Sequence, residues 1–370
     1  MKIIFACGGT AGHINPALAI AEEIIKRKTD AEILFIGTED RMETELIPRA
    51  GYEIETIKIT NLSRKISFDS LIKNFQTAKN VFTSIAKCKK IFKRFKPDLV
   101  IGTGGYVCYP VVSAAHSMGI RSAIHESNAV PGLTTKLLEA KADLILLGYE
   151  ESKVHYKHLD KLEITGTPVI SDFCDEYKCR AKKELGLDED KPFVLSIFGS
   201  LGATKMNEVI RELIIEIGES PAFNLIHSSG KSEYKSLIDS LKEKAPDHES
   251  KGMYVKEYIY NTAELMRAAD LVICRAGAST LAEITASGTP AIIVPSPNVT
   301  NNHQEKNARL IENADAAKVI LETQLSGAKL LEEINELLSD KERLKAMSDN
   351  MKALAHPDAA SKIAECVLAL

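Results

Sequence analysis

The amino-acid sequence predicts an α/β protein made of two doubly wound parallel-sheet domains. Three observations carry that expectation. The chain has 370 residues, and at about 150 residues per domain that is enough for two domains, each with a full core. Short runs rich in Ile, Leu and Val alternate with longer amphipathic stretches, as buried parallel strands alternate with covering helices. Three glycine-rich turns follow such runs and open helical patterns: Gly8-Gly9-Thr10-Ala11-Gly12-His13, Gly102-Thr103-Gly104-Gly105-Tyr106 and Gly199-Ser200-Leu201-Gly202-Ala203.

In the first half, strands are expected at Lys2–Cys7, Glu32–Gly37, Glu53–Ile59, Asp98–Gly102, Ser122–His125 and Leu144–Leu147. The apolar run after Met1-Lys2 is too short for the core of a secretory signal, and Gly8-Gly9 ends it, so it reads as a buried strand. A helix is expected from Pro16 to Lys28, with Leu18, Ile20, Ala21, Ile24 and Ile25 mostly on one face. The segment Ile164-Thr165-Gly166-Thr167-Pro168-Val169 is a Gly/Pro turn suited to a hinge, which puts the boundary near Gly166. A charged surface helix follows over Asp175–Leu187. The second half repeats the grammar, with strands at Phe193–Phe198, Phe223–His227, Met253–Lys256, Leu271–Cys274 and Ala291–Pro295. The domains are thus expected over 1–165 and 166–355, and residues 356–370 read as a last amphipathic helix preceded by a kink at Pro357.

Composition narrows the class. A hydrophobic fraction of 45% and a charged fraction of 26% exclude a disordered or collagenous chain. The seven cysteines include no Cys-x-x-Cys, which argues against a disulfide framework or zinc site and for a reducing compartment. No apolar run approaches the roughly 18 residues that span a bilayer.

The glycine turns point to phosphate. Glycine lets the backbone approach a ligand closely, and a helix start offers free N–H groups and the positive end of a dipole. None of the three turns is a Gly-x-Gly-x-x-Gly and no Walker-type P-loop occurs, which lowers the odds of a nicotinamide dehydrogenase or P-loop ATPase. Any single such turn is as readily a plain connection. Three in corresponding places suggest phosphate-bearing ligands in a cleft between the halves.

At this point a family resemblance is legible. Residues Gly8 to Pro16 resemble the first loop of the MurG family of UDP-N-acetylglucosamine transferases of peptidoglycan synthesis. Gly104-Gly105-Tyr106-Val107 and His125-Glu126-Ser127-Asn128 resemble its next two motifs. Cys274-Arg275-Ala276-Gly277-Ala278-Ser279-Thr280-Leu281-Ala282-Glu283 resembles its nucleotide-sugar signature, and Asn301–Ala308 follows as in the family. The ordered set spans nearly the whole chain. It implies a glycosyltransferase type B fold, two Rossmann-like domains facing across a cleft, with the last helix crossing back to the first domain. The first domain would bind acceptor and membrane, the second UDP-GlcNAc.

The resemblance also implies chemistry. GlcNAc would pass from UDP-GlcNAc to the C4 hydroxyl of the muramoyl sugar of lipid I, with inversion at the anomeric centre. His13 is the candidate general base, since a histidine near neutral pKa suits hydroxyl deprotonation. The alternative is a histidine that orients the loop or binds the acceptor pyrophosphate. Glu126 joins the catalytic set by orienting groups around the acceptor, and His125 reads equally as a hydrogen-bonded strand end. Thr10, Ala11, Gly12 and Asn128 would bind substrate, and Gly104, Gly105 and Tyr106 the acceptor. Backbone N–H groups of Ala278, Ser279, Thr280, Leu281 and Ala282 would hold the α-phosphate, with Glu283 accepting both ribose hydroxyls. Ser200 would bind diphosphate, the backbone of Ile259 the uracil edge, and His303 or Gln304 the donor sugar. Ile170 stands where some relatives have an arginine that contacts the donor, so that contact is not carried over. No carboxylate cluster with metal spacing is evident, and helix dipoles can stabilise the diphosphate, so no obligatory metal or cofactor is expected. The competing readings are a UDP-GlcNAc 2-epimerase or other enzyme of the same fold, and a catalytically idle nucleotide-sugar binder at the membrane.

The formal charge of -4 conceals an asymmetry. Leu62 to Pro97 holds ten basic residues and one acid, a charge of +9, while the remainder carries -13. Lys89, Lys90, Lys93 and Arg94 belong to this run, interleaved with Phe82, Ile85, Ile91, Phe92 and Phe95. It reads as a basic amphipathic helix against an anionic lipid surface, with a buried helix bearing a solvated basic face as the alternative. No nucleic-acid motif accompanies it. The expected partners are UDP-GlcNAc, lipid I, an anionic membrane and other cell-wall synthesis and division proteins. The expected place is peripheral, on the cytoplasmic face of a bacterial plasma membrane.

Overall fold

The computed structural model describes residues 1–59, 68–169, 181–199, 202–259, 261–299 and 302–370, the side chains of 68–79 excepted. The chain packs as two compact units, Met1–Ile170 with His356–Leu370, and Ser171–Ala355.

Among the described residues the first unit holds seven strands: β1 (Lys2–Cys7), β2 (Glu32–Thr38), β3 (Glu53–Ile57), β4 (Leu99–Gly104), β5 (Arg121–Glu126), β6 (Leu144–Leu147) and β7 (Leu162–Ile164). The second holds β8 (Phe193–Ile197), β9 (Asn224–Ser228), β10 (Met253–Lys256), β11 (Leu271–Cys274), β12 (Ala291–Ile293) and β13 (Ala317–Val319). Helices of the first unit are α1 (Ala11–Arg27), α2 (Glu43–Arg49), α3 (Phe68–Phe95), α4 (Cys108–Met118) and α5 (Leu133–Leu138). The second has α6 (Thr204–Glu216), α7 (Tyr234–Lys244), α8 (Thr262–Ala268), α9 (Ala278–Ser287), α10 (His303–Asn313), α11 (Gly327–Ser339) and α12 (Lys341–Ala353). The last helix, α13 (Ala359–Leu368), returns to the first unit.

Each sheet is parallel throughout its paired strands, in the order β3-β2-β1-β4-β5-β6-β7 and β10-β9-β8-β11-β12-β13. Both therefore reverse direction of winding beside their first strand, between β1 and β4 and between β8 and β11. Open α/β sheets bind ligands outside the carboxyl ends of the strands at such points.

The unbroken apolar strands follow from burial on both faces. In β1, Ile3, Phe5 and Cys7 pack with Ile14, Ala17, Ile20, Ala21 and Ile24 of α1 and with Ile363, Ala364 and Val367 of α13. Ile4 and Ala6 point the other way, into a cluster with Ile91, Phe92, Val111 and Val112. β11 divides likewise, Leu271 and Ile273 to one core and Val272 and Cys274 to the other. Each fully buried Ile or Phe contributes roughly 1.5–3 kcal/mol.

Some expectations need correction. Helix α1 begins at Ala11 rather than Pro16, with Thr10 extended as its N-cap and Pro16 inside. Gly9, at φ +89, ends the turn earlier than the proline suggested. The edge strands β7 and β13 are three residues each, too short to leave a pattern. Lys2–Cys7, Leu144–Leu147, Met253–Lys256 and Leu271–Cys274 fall as expected, and the ends of the remaining strands shift by one or two residues. Of the helix expected over Asp175–Leu187, residues 181–184 are helical and the preceding part lies outside the described residues. No helix among the described residues is long and apolar enough to cross a membrane.

Candidate functional site

In the first unit the two glycine turns meet at the β1/β4 winding reversal. Gly104 (φ +130) and Gly105 (φ +86) adopt conformations that side chains resist. A Cβ on Gly105 would overlap the carbonyl of Gly8, and one on Gly104 would overlap the His13 imidazole, 2.6 Å from Cε1. The hydroxyl of Thr103 donates to the His13 carbonyl at 2.6 Å, fastening the loops together. His13 is half-buried in the first turn of α1. The His13 and Ile14 amides both donate to Thr10 O, so those of Ala11 and Gly12 lie ahead of the helix's hydrogen bonds. Thr10 is exposed, and Tyr106 is partly exposed at the same rim.

Residues 125–128 extend this rim along β5. His125 is buried, and its Nε2–H donates to Gly166 O at 3.0 Å, since a carbonyl can only accept. Its Nδ1 then accepts from Ser127 Oγ at 3.3 Å. Burial keeps its pKa below the usual histidine range, with the neighbouring His13 pushing in the same direction against Gly166 and Glu126. Glu126 is buried and fully engaged. Its Oε1 accepts from Asn128 N and Nδ2, and its Oε2 from Gly132 N and Thr135 Oγ1, at 2.7–3.0 Å. Such a carboxylate shapes the loop from 126 to 135 and has no spare lone pair aimed at a substrate proton. Glu126 is expected to orient groups around the acceptor, and the groups it holds among the described residues are those of its own loop.

In the second unit, Gly277 precedes α9 in extended conformation without a side-chain cap. Leu281 N makes the first helical bond, to Gly277 O, so the amides of Ala278, Ser279 and Thr280 precede it. Leu281 departs from expectation, because its side chain is core and its amide is used by the helix. Ala282 and Glu283 follow on the partly exposed face. The Glu283 carboxyl has no hydrogen-bond partner among the described residues, and burial pushes its pKa up to about 7. Arg275 anchors the loop. It pairs with Glu322, donates to Val294 O at 3.1 Å and lies over the Phe198 ring.

Gln304, in the first turn of α10, accepts from Ser296 N at 2.8 Å through Oε1, leaving its two amide hydrogens for a ligand. His303 precedes it, and Asn307 one turn on donates to Ala276 O at 3.4 Å, tying α10 to the signature loop. Ile259 contributes a core side chain. Ser200, Ile170, Cys174, Cys179 and Asn301 lie outside the described residues. Their neighbour Gly202, at φ +71, abuts Ser229, where a Cβ would overlap the carbonyl.

Sequence reasoning missed two supporting groups. Behind the Gly199–Gly202 turn, Ser196 Oγ bonds His227 Nδ1 (3.0 Å) and His227 Nε2 bonds Asn207 Oδ1 (2.9 Å). The Asn207 amide donates to Ser229 O and to Glu233, both at 3.0 Å. Burial lowers the His227 pKa to about 3, so its imidazole is neutral. Behind the Gly8-Gly9 turn lies the buried carboxylate of Glu43. Neither has a sequence signature, since Gly9 is far from Glu43 in the chain, and Ser196 and Asn207 are far from His227.

On α3, Cys88, Ile91 and Phe92 are core, whereas Phe82 is 74% exposed. Lys87, Lys90 and Lys93 are exposed, Lys89 is half-buried, and Arg94 pairs with Glu55. The end of α3 is therefore a packed helix with a basic outer face.

Comparisons with known proteins agree with the two-unit fold. A model of the glycosyltransferase family 28 N-terminal domain matches residues 3–147, and one of its C-terminal domain matches 193–363. The UDP-N-acetylglucosamine--N-acetylmuramyl-(pentapeptide) pyrophosphoryl-undecaprenol N-acetylglucosamine transferase of Acetivibrio thermocellus is 43% identical over 367 residues, covering 99% of this chain and 97% of that one. The protein of the same name from Caldanaerobacter subterraneus subsp. tengcongensis is 43% identical, covering 99% of each. Among solved structures, MurG of Acinetobacter baumannii matches with a TM-score of 0.73 and 25% identity, covering 100% of this chain and 99% of that one. A putative UDP-N-acetylglucosamine 2-epimerase of Listeria monocytogenes reaches a TM-score of 0.70 at 14% identity, covering 100% and 96%, a likeness of fold alone.

Proposed function

The chain belongs to glycosyltransferase family 28, and from that premise we propose that it transfers GlcNAc from UDP-GlcNAc to the C4 hydroxyl of the muramoyl sugar of undecaprenyl-pyrophosphoryl-MurNAc-pentapeptide, making lipid II. The observation that carries the reading is the placement of family motifs at both winding reversals. His13 and the paired glycine turns stand at one, the Ala278–Glu283 helix start at the other.

The second unit holds the donor. The α9 start meets the diphosphate, and the negative charge that builds on UDP as the C1–O bond breaks is stabilised by amides and dipole fixed beforehand. Glu283 accepts the ribose hydroxyls, which return the hydrogen bonds its carboxylate lacks. Gln304 donates to the sugar. The first unit activates the acceptor. His13 takes the C4 hydroxyl proton as the oxygen bonds to C1 from the face opposite UDP, so the α-linked donor gives a β-linked product. His13 then releases the proton to solvent. A general base of this kind supplies about 10²–10⁴-fold in rate. Glu126, Asn128 and His125 hold the rim in shape.

The enzyme works peripherally at the cytoplasmic membrane face. The outer face of α3, with Lys87, Lys90, Lys93 and the exposed Phe82, rests on anionic lipid near the lipid-linked acceptor.

The test is UDP release from UDP-GlcNAc with and without a lipid I analogue. The reading expects release that depends on the acceptor, with a β-linked disaccharide product. Release without acceptor and with ManNAc as product would make the protein an epimerase, and UDP-GlcNAc binding without turnover would make it a binder.

A further inference from the structure

We propose that Glu43 is a positioning residue for transfer, a buried clamp that fixes the Gly8–His13 loop and with it the base. The inference rests on the function proposed above.

Glu43 opens α2 and is wholly buried, with its carboxylate turned inward. Its Oε2 accepts from Gly9 N at 3.0 Å and its Oε1 from Thr38 N at 2.9 Å. One carboxylate thus ties the turn after β1 to the end of β2. No salt bridge to it is found among the described residues. Two neighbouring positions are glycine where the carboxylate passes. A Cβ on Gly8 would lie 2.8 Å from Glu43 Cδ and overlap Oε1, and one on Gly37 would lie 2.6 Å from Glu43 Cγ. Gly8, Gly37 and Glu43, from three separate segments, specify one another.

The consequence falls on the substrate loop. With the Gly9 amide drawn inward to Glu43, it is not offered to a phosphate, and the outward donors begin further along. The same bond sets the Gly9 conformation at φ +89 and the entry of α1, and His13 sits in that first turn against Gly104. Catalytic groups must be held to within about an ångström, and a misplacement of that size can cost about 10²-fold. The sequence offered no sign of this, because an acid at a helix start ordinarily reads as a solvated charge near the dipole.

The experiment uses the full-length protein. Glu43→Gln keeps the size of the side chain but turns an NH₂ toward one of two N–H donors, so one clamp bond is lost. Its expected effect is a fall of about tenfold or more in kcat/KM for the lipid I analogue, with KM for UDP-GlcNAc within about twofold of native. Glu45→Gln, on the exposed side of α2, is expected to behave as native. Gly8→Ala should harm turnover as Glu43→Gln does, since its methyl displaces the carboxylate. In Gly8→Ala/Glu43→Ala the methyl meets no carboxylate, so the loss should not exceed that of Glu43→Ala alone. Additive losses, or donor KM rising with acceptor KM, would overturn the clamp. A readout free of activity is the Gly9 amide signal in NMR, expected to shift in Glu43→Gln; an unmoved signal counts against the bond. If native protein transfers nothing, the functional reading fails while the Gly9 signal still decides the clamp.

Discussion

The imidazole of His13 fills the space that a side chain at Gly104 would need, and the two residues, about ninety positions apart, are held together by the Thr103 hydroxyl on the His13 carbonyl. His13 and the glycine turn at the end of β4 therefore form one object. Gly104→Ala is expected to act like His13→Ala. Both should lower kcat by about 10²-fold or more and leave UDP binding by calorimetry unchanged. Near-native turnover in a folded His13→Ala protein would remove His13 as base.

The raised pKa of Glu283 predicts that nucleotide binding depends on pH. Its folded pKa of about 7 lies above its ordinary value of 4.5. Between those values the folded protein keeps a proton that the unfolded chain has released. Stability therefore falls as pH rises from about 4.5 to about 7, and the penalty is complete above that. Glu283→Gln should raise Tm at about pH 8 and change it little at about pH 4. Ribose hydroxyls favour the carboxylate, so native affinity for UDP should drop up to about tenfold from about pH 8 to about pH 6. Glu283→Gln should bind more weakly at pH 8 and without that slope. Calorimetry at both pH values checks the pair, and an unchanged slope in the variant would assign the proton elsewhere.

His227 has the opposite linkage. Its folded pKa of about 3 lies below the ordinary 6.5, because burial disfavours the imidazolium. The unfolded chain gains the proton first, so stability is fully present above about pH 6.5 and is lost as pH falls toward 3, by up to about 1.4 kcal/mol per pH unit. His227→Gln is expected to cost about 1–3 kcal/mol at neutral pH by leaving Ser196 or Asn207 underpaired. It should also decline less steeply in acid. Urea unfolding across that range measures both, and parallel slopes would exclude His227 as the linked group.

The α3 surface gives a graded prediction for membranes. Lys87, Lys90 and Lys93 are exposed, whereas Arg94 is paired with Glu55. At about 1 kcal/mol for each basic group, reversing the three lysines should weaken binding to anionic vesicles by about 10²-fold or more. Arg94→Gln should matter less, and Phe82→Ser should weaken binding without changing its salt dependence. Vesicle sedimentation at two salt concentrations separates these effects, and an unweakened triple variant would move the membrane contact off α3.

Much of this was legible from the chain. Runs such as Ile3–Cys7 and Leu271–Cys274 announced strands buried on both faces, and their alternation with amphipathic stretches announced two parallel sheets. The signature from Cys274 to Glu283 announced a helix start, which is where α9 begins. Local pattern suffices for such features because periodicity and turn chemistry act within a few residues. It misled at Pro16, where a proline suggested a helix start that Gly9 and Thr10 place five residues earlier.

Tertiary structure decided what each polar group does. Glu126 read as a group that orients others around the acceptor, and the four donors it holds, from Asn128, Gly132 and Thr135, all belong to its own loop. The Leu281 amide read as a phosphate donor, yet it bonds Gly277 O inside the helix. Glu43 drew no notice, yet it lies under the first glycine turn. The physical reason is the same in each case. A sequence shows which residues are apolar and where the backbone can turn, whereas the chemistry of a carboxylate or imidazole depends on burial and on which donors the folded chain turns toward it, near or far along the chain.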